Sequence, residues 1–277
     1  MTGRLSLATR ILASSALATV CLLFLAPFAW VALCSLKGKG QIYLPPPNWL
    51  PDPVVWANYK EIFTRLPFAL FFKNSFLICI LATLGQLASS SLVAFGFARV
   101  RFAGREPLFL LLLATMMIPY QVTMIPVYLL FREIGWVDSF LPLIVPQFFG
   151  GAFNIFLLRQ FFRTIPYDLD EAAFIDGCGK FGVYWRIILP LSKPALTVVA
   201  IFTFLWHWQD LIGPLIYLDS LSKRTVALGL AYFRNPYEIG MHLIMAASVV
   251  ALVPVVVLFV VGQKHILEGI SLTGVQR

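Results

Sequence analysis

Six apolar runs of about 20 residues, each close to what a helix needs to cross roughly 30 Å of hydrocarbon, limit what this chain can fold into. They lie at approximately 11–36, 75–97, 108–130, 140–158, 195–218 and 241–261. Lipid offers no partner for backbone N–H and C=O groups, so each run is expected as a helix. The 277 residues are 60% hydrophobic and 12% charged, far from the roughly 25% charged share of soluble domains. The expectation is an all-α membrane protein with six transmembrane helices and one domain over residues 1–277. No stretch is left over for a separate soluble domain.

The first run follows Arg4 and Arg10 and ends at Lys37 and Lys39. It is longer than the 7–15 residue core of a secretory signal and lacks a small-residue cleavage site, so it reads as a retained anchor. Cys21 and Cys34 share that run, Cys79 lies in the second and Cys178 in a loop, without any CxxC. Two cysteines thirteen residues apart on one helix cannot meet, and neither disulfides nor a metal site is indicated. His207, His242 and His265 are too scattered to build one.

An even number of spans puts both termini on one side, and Lys and Arg favour that side, most compactly in RVRFAGR at 99–105. The termini and that turn are therefore expected in the cytoplasm, together with the loop at about 159–194. The net charge of +8 then needs no nucleic-acid partner, since cytoplasmic loops of membrane proteins are commonly basic. On the other side, residues 45–63 are proline-rich and aromatic, hence irregular and suited to an interface. Residues 219–240 hold an apolar face that suits a short re-entrant or interfacial element. No internal repeat is visible, which counts against a self-contained secondary transporter.

Residues 171–190, EAAFIDGCGKFGVYWRIILP, are unlike lipid-facing helix. Pro166 suits a first helical turn, and Asp168, Asp170 and Glu171 follow where the helix dipole favours acids. A short helix is expected from there through Ala172 and Ala173, both small enough for another surface to approach, until Gly177 and Gly179 break it. Phe181, Tyr184, Trp185 and Ile188 then fall at i, i+3, i+4 and i+7 as one apolar stripe, ended by Pro190 and Pro194. Gly179-Lys180 fails the phosphate-loop pattern, with Phe174 and Phe181 in the flanking positions. Glu171 and Asp176, five apart, do not fall cleanly on one helical face and have no His beside them, so an enzyme is not indicated.

The spacing EAA, three residues, Gly, nine residues, Ile, one residue, Leu-Pro resembles the EAA signature of permease subunits in binding-protein-dependent ABC importers. IPYDLDEAAFIDGCG, IILPLSKPAL, NYKEIF, NSFLI, ARVRFAGR, MMIPYQVTMIP, FLWHWQDLIGPLIYL and HILEGISLTGVQR are similar to the carbohydrate-uptake branch, in particular the smaller permease subunit of maltose and glycerol-phosphate importers. The resemblance implies an inner-membrane subunit for sugars, polyols or sugar phosphates, with a cytoplasmic coupling helix between the fourth and fifth spans. It implies that Glu171, Ala172, Ala173, Asp176 and Gly177 dock in a nucleotide-binding subunit while Ile187, Leu189 and Pro190 anchor the return to the membrane. The bland alternative is a segment that merely caps the bundle. The resemblance further implies a second permease in a heterodimer, paired ATPase subunits that use ATP and Mg, and an extracytoplasmic solute-binding protein. No cofactor is expected on this chain itself.

Polar side chains inside spans are costly and usually face an interior or a cavity. The candidates are Gln121, Thr123, Gln147, Asn154, His207, Gln209 and Asp210, with Trp206 and Trp208 available for stacking on a sugar. For Asp210 the readings are a pathway group or a clamp to the partner permease. The following Gly213-Pro214 is expected as a kink, and Leu211-Ile212-Gly213-Pro214 departs from the aromatic-Trp-Pro run common in the family. The alternative function is a stand-alone secondary transporter or facilitator that titrates Asp210. It would need no docking segment. Ser89, Ser90 and Ser91 suit close helix packing.

Overall fold

The computed structural model describes residues 7–42, 48–232 and 240–274, with Tyr232 and residues 265–274 as backbone only. The expectations for Pro45–Pro47, for residues 233–239 and for the side chains of the C-terminal tail lie outside the described residues. Among those described, no strand occurs. Four helices are long and apolar enough to cross a membrane, at Leu7–Ser35, Phe68–Arg99, Leu141–Thr164 and Met241–Lys264, and six result if two bent pairs each count as one span.

In chain order, α1 is Leu7–Ser35, α2 Ala57–Arg65, α3 Phe68–Arg99, α4 Arg105–Ala114 and α5 Tyr120–Glu133. Short α6 (Leu141–Ile144) leads through a tight turn to α7 (Ala152–Thr164), α8 (Asp168–Ile175) and α9 (Lys180–Val183). A π segment at Tyr184–Ile188 joins α10 (Leu189–Leu191), followed by α11 (Lys193–Gln209), α12 (Ile212–Tyr217), α13 (Val226–Tyr232) and α14 (Met241–Gly274). The chain divides into two compact units, residues 1–68 with 230–253, and residues 69–229 with 254–277.

In the first unit, α1 exposes nearly its whole apolar length, as a lipid-facing helix does. Its end is fixed by polar contacts. The Lys37 ammonium donates to the Asn48 carbonyl at 2.5 Å and lies 4.4 Å from the Trp30 ring centroid. The Asn58 amide, from α2, donates to the carbonyls of Ser35 and Lys37. These bonds tie the residues just after α1 to Asn48 and to α2, while Trp49 and Trp56 stay exposed.

In the second unit the core forms where α3, α7, α8 and α11 converge, around Phe95, Leu158, Phe162, Ala173, Tyr184, Ile188 and Val199. A second cluster gathers Ile78, Phe131, Leu143, Tyr217 and Leu218. Asp138 organises the turn near it from a left-handed backbone (φ 56). Its carboxylate accepts the N–H groups of Asp219 and Ser220, the Ser220 hydroxyl and the Lys223 ammonium. Those donors, led by Ser220, hold the Asp138 carboxyl well below the usual range.

The expected runs are broken where particular residues forbid continuation. The third, expected as one helix over 108–130, bends by 94° between Met117 and Tyr120. Ile118 precedes Pro119, whose ring drives it out of the helical region, and it is extended at ψ 115. The fifth, expected over 195–218, ends α11 at Gln209 because Asp210 is extended at ψ 117. The expected kink at Gly213-Pro214 therefore falls three residues earlier. Pro214 sits in the first turn of α12, where a missing N–H costs nothing.

Candidate functional site

α8 starts at Asp168, two residues beyond Pro166, and ends in a hydrogen-bonded cap. The Cys178 N–H donates to the Ala173 carbonyl at 2.8 Å and the Gly177 N–H to that of Phe174 at 3.1 Å. This pair of bonds is the Schellman arrangement, and it requires a left-handed residue at 177, where Gly177 has φ 82. The glycine is thus fixed by backbone geometry, and nothing lies within 4 Å of where a Cβ would stand.

One face of α8 is buried and the other is bare. Asp170 and Ala173 point into the unit, while Glu171, Ala172, Asp176 and Gly177 are exposed. Ala173 was expected on the open knuckle. Instead it packs in the core beside Phe162 and Ile188, so its size is limited by this chain. Phe174 is 41% exposed and Ile175 86%. The helix tip therefore presents apolar and acidic groups side by side.

The expected stripe of Phe181, Tyr184, Trp185 and Ile188 is split. Tyr184 and Ile188 are buried, whereas Phe181 and Trp185 are 67% and 63% exposed. The buried face runs through Val183, Tyr184 and Ile188, so the expected stripe straddles the edge between core and open surface, in a stretch where Tyr184–Ile188 is a π segment. Tyr184 is fixed by a 2.8 Å hydrogen bond between its hydroxyl and that of Ser91. Ile187 and Leu189 pack against the same core, and Pro190 is exposed within α10.

A buried basic residue fastens α8 to the long helices. Arg99, the last residue of α3, donates through Nη2 to the carbonyls of Phe162 and Ile165 at 2.6 Å each, and through Nη1 to the Asp170 carboxylate at 3.4 Å. Both side chains are nearly inaccessible, at 5% and 2%. The two carbonyls belong to the end of α7, where the helical ladder runs out and Phe162 receives only a long 3.4 Å bond from the Ile165 N–H. Burial raises the Asp170 carboxyl above its ordinary value, and Arg99 opposes that shift. Nearby, Arg159 of α7 holds Glu106 in a two-pronged pair at 2.8 and 2.9 Å and lies 3.9 Å from the Phe109 ring centroid.

The pathway candidates separate into two groups. A cavity of about 550 Å³ between α3, the 147–154 turn and α11 is lined by Gln147, Asn154 and Gln209, together with Gln86, Trp206 and His207. Gln121, Thr123 and Asp210 do not line it. Asp210 instead accepts the Gly213 N–H at 3.1 Å and caps the turn into α12. Trp208 is 5% exposed and packs among Phe72, Phe76 and Phe204, so only Trp206 is open for stacking.

Gln86 escaped the reading of the sequence, although it is the sole amide in the 75–97 run. Its Nε2 donates to Ser90, whose hydroxyl also accepts the Gly151 N–H. A Cβ on Gly151 would meet Gln86 Nε2 at 2.6 Å, so a side chain there would push that amide aside. Arg99 and Asp170 were legible only as an orientation charge and a first-turn acid. Among the described residues, no group of His, Cys, Asp and Glu is arranged to hold a metal ion.

Residues 87–271 match the family model described as binding-protein-dependent transport system inner membrane component. The chain is 34% identical over 259 residues to the arabinooligosaccharides transport system permease protein AraQ of Bacillus subtilis (strain 168), covering 92% of each. It is 30% identical over 257 residues to the sn-glycerol-3-phosphate transport system permease protein UgpE of Yersinia pestis bv. Antiqua (strain Antiqua), covering 90% of this chain and 91% of that one. Its fold matches a chain in the crystal structure of a bacterial ABC transporter involved in the import of the acidic polysaccharide alginate, with TM-score 0.83, 21% identity and coverage of 95% and 99%. The EAA-type segment with its capped glycine and the matched residues 87–271 agree on one assignment: this multi-pass membrane chain belongs to the family of binding-protein-dependent transport system inner membrane components.

Proposed function

We propose that the chain is one permease subunit of an ATP-driven importer for sugars or related polyols and sugar phosphates. It forms the translocation pathway with a second, different permease. α8 docks in a cytoplasmic ATPase that uses ATP and Mg, an extracytoplasmic binding protein delivers the solute, and this chain binds no cofactor. In this reading each bent pair counts as one span, giving six, with both termini and the 159–194 loop in the cytoplasm of an inner-membrane protein.

The observation that carries the reading is the half-buried, half-bare α8. Asp170 and Ala173 hold the helix down, while Ile175 stands 86% exposed among Glu171, Ala172 and Asp176. An apolar tip on a charged, polar helix does not suit lipid, and it suits the cleft of a protein partner. A segment that merely caps the bundle would turn Ile175 inward. The relatives' names support a sugar-type solute. A carrier that titrates Asp210 is not favoured, since that carboxylate is engaged by the turn it caps.

The test is gentle purification of the tagged chain from its own host, followed by mass spectrometry of what accompanies it, for wild type and Glu171→Lys. Recovery of an ATPase and a second permease, with the ATPase lost in the variant, is expected. A chain recovered alone that moves solute in vesicles without ATP refutes the proposal.

A further inference from the structure

We infer that the cavity between α3, the 147–154 turn and α11 is a solute-contacting site built for uncharged saccharides and unsuited to phosphorylated, sulfonated or uronic sugars. The inference rests on the importer reading and narrows its substrate class. The cavity lies within one compact unit, and its volume of about 550 Å³ falls in the range of small-molecule sites, about 300–1,000 Å³.

Three features of the lining carry it. First, no Lys, Arg, Asp or Glu is among the lining residues, whose polar side chains are amides, one threonine hydroxyl and one imidazole. An anion taken from water into such a site loses its hydration without a cation to replace it. Arg99 and Arg159 do not line the cavity and are occupied by Asp170, Glu106 and backbone carbonyls. Second, the amides of Gln147, Asn154 and Gln209 make no side-chain hydrogen bond with other described residues. Each offers both donors and an acceptor, the mixture that vicinal sugar hydroxyls satisfy in either sense. Such groups inside a span face a cavity or a partner rather than lipid. Third, Trp206 lines the cavity with 69% of its surface free, a flat apolar face for the C–H side of a pyranose or furanose ring. His207 adds a further hydrogen-bonding group to the lining.

The relatives do not share one charge class. One is named for arabinooligosaccharides and another for sn-glycerol 3-phosphate. The lining places this chain with the former.

The test uses the whole transporter purified from its host with its partners and reconstituted into vesicles with ATP inside. A mixed hydrolysate of starch, arabinan, chitin, pectin and alginate, spiked with glycerol 3-phosphate, is added outside with the binding protein. Mass spectrometry identifies what accumulates. Accumulation of neutral oligosaccharides alone is expected. Accumulation of uronates or glycerol 3-phosphate overturns the inference and leaves the importer reading standing. Failure to accumulate any solute under ATP overturns both. The double variant Gln147→Ala, Asn154→Ala, assembled normally by size-exclusion chromatography, is expected to raise the half-saturation concentration for the accumulated sugar by about tenfold, from two hydrogen bonds lost. An unchanged value shows that the sugar does not touch this cavity, which also overturns the inference.

Discussion

Replacing Arg99 by Met tests whether α8 is fastened to the long helices by that one side chain. Met keeps the apolar stem and its packing while deleting the guanidinium. The deletion removes two 2.6 Å charge-assisted bonds to the carbonyls of Phe162 and Ile165 and leaves the Asp170 carboxylate buried without its cation. Breaking a buried pair from one side costs about 3–5 kcal/mol. The opposite change, Asp170→Asn, is expected to cost less than about 1 kcal/mol. The pair is long at 3.4 Å, Arg99 keeps both carbonyls, and one carboxylate oxygen already lacks a partner.

The pH dependence follows from the raised Asp170 carboxyl. Its contribution to stability is complete below the unfolded value of about 3.9 and diminishes as pH rises through the folded value. Asp170→Asn removes that slope and lies closest to, or above, wild type near neutral pH. Equilibrium unfolding of the purified chain in mixed micelles at pH 5 and pH 8 measures all of this. An Arg99→Met variant within 1 kcal/mol of wild type, or an Asp170→Asn variant costlier than Arg99→Met, refutes the reasoning.

Three further outcomes are expected. Gly177→Ala forces a side chain into the left-handed region at φ 82, costs about 1–2 kcal/mol at the α8 cap, and lowers ATP-driven uptake by the reconstituted transporter at unchanged membrane insertion. Asp138→Asn keeps the left-handed turn, which Asn tolerates, but weakens the bonds to Ser220 and Lys223 by about 1–2 kcal/mol. Because the folded Asp138 carboxyl lies below its ordinary value, that stabilisation is present above about pH 3.9 and lost only as pH falls through the lower folded value; unfolding of wild type and variant at pH 7 and in strong acid measures the gap and its closure. Ala173→Trp overpacks the core and destabilises the isolated chain by about 1–3 kcal/mol, whereas Ala172→Trp leaves its unfolding unchanged and reduces ATPase recovery on co-purification.

Period and composition made the helical membrane character legible, because apolar runs of spanning length have few other uses. The EAA spacing made the family legible as well. The breaks were harder, for reasons particular to single residues. Pro119 was visible, yet nothing in the apolar pattern says that a bend of 94° follows rather than a mild kink. The expected stripe at 181–188 straddles the buried and open faces, because an apolar period does not say which of its members meets the core, and the π segment at 184–188 departs from the 3.6-residue pitch as well. Ala173 and Ala172 are indistinguishable as letters, and only the packing of α8 says which of them meets the core.

The polar residues inside the apolar runs show what the sequence withholds and what the fold then decides. A span that carries Ser89, Ser90, Ser91 and Gln86 looks as functional as one that carries Gln147 and Asn154. Hydrogen bonds separate them. The serines bond to Gln147 O, to Gln86 with Gly151, and to Tyr184, and so join helices within this chain. Asp210 is likewise consumed by its own turn. Gln147, Asn154 and Gln209 line a cavity with their amides unmatched. A polar side chain inside a span usually faces a cavity or a partner, so an amide that bonds to nothing in this chain marks a place where something outside it can supply the bond. That criterion moves the centre of the candidate pathway from Asp210, the acid that first attracts notice, to Gln147 and Asn154, about two helical turns apart in sequence, and the distant Gln209, which the fold brings to the same cavity.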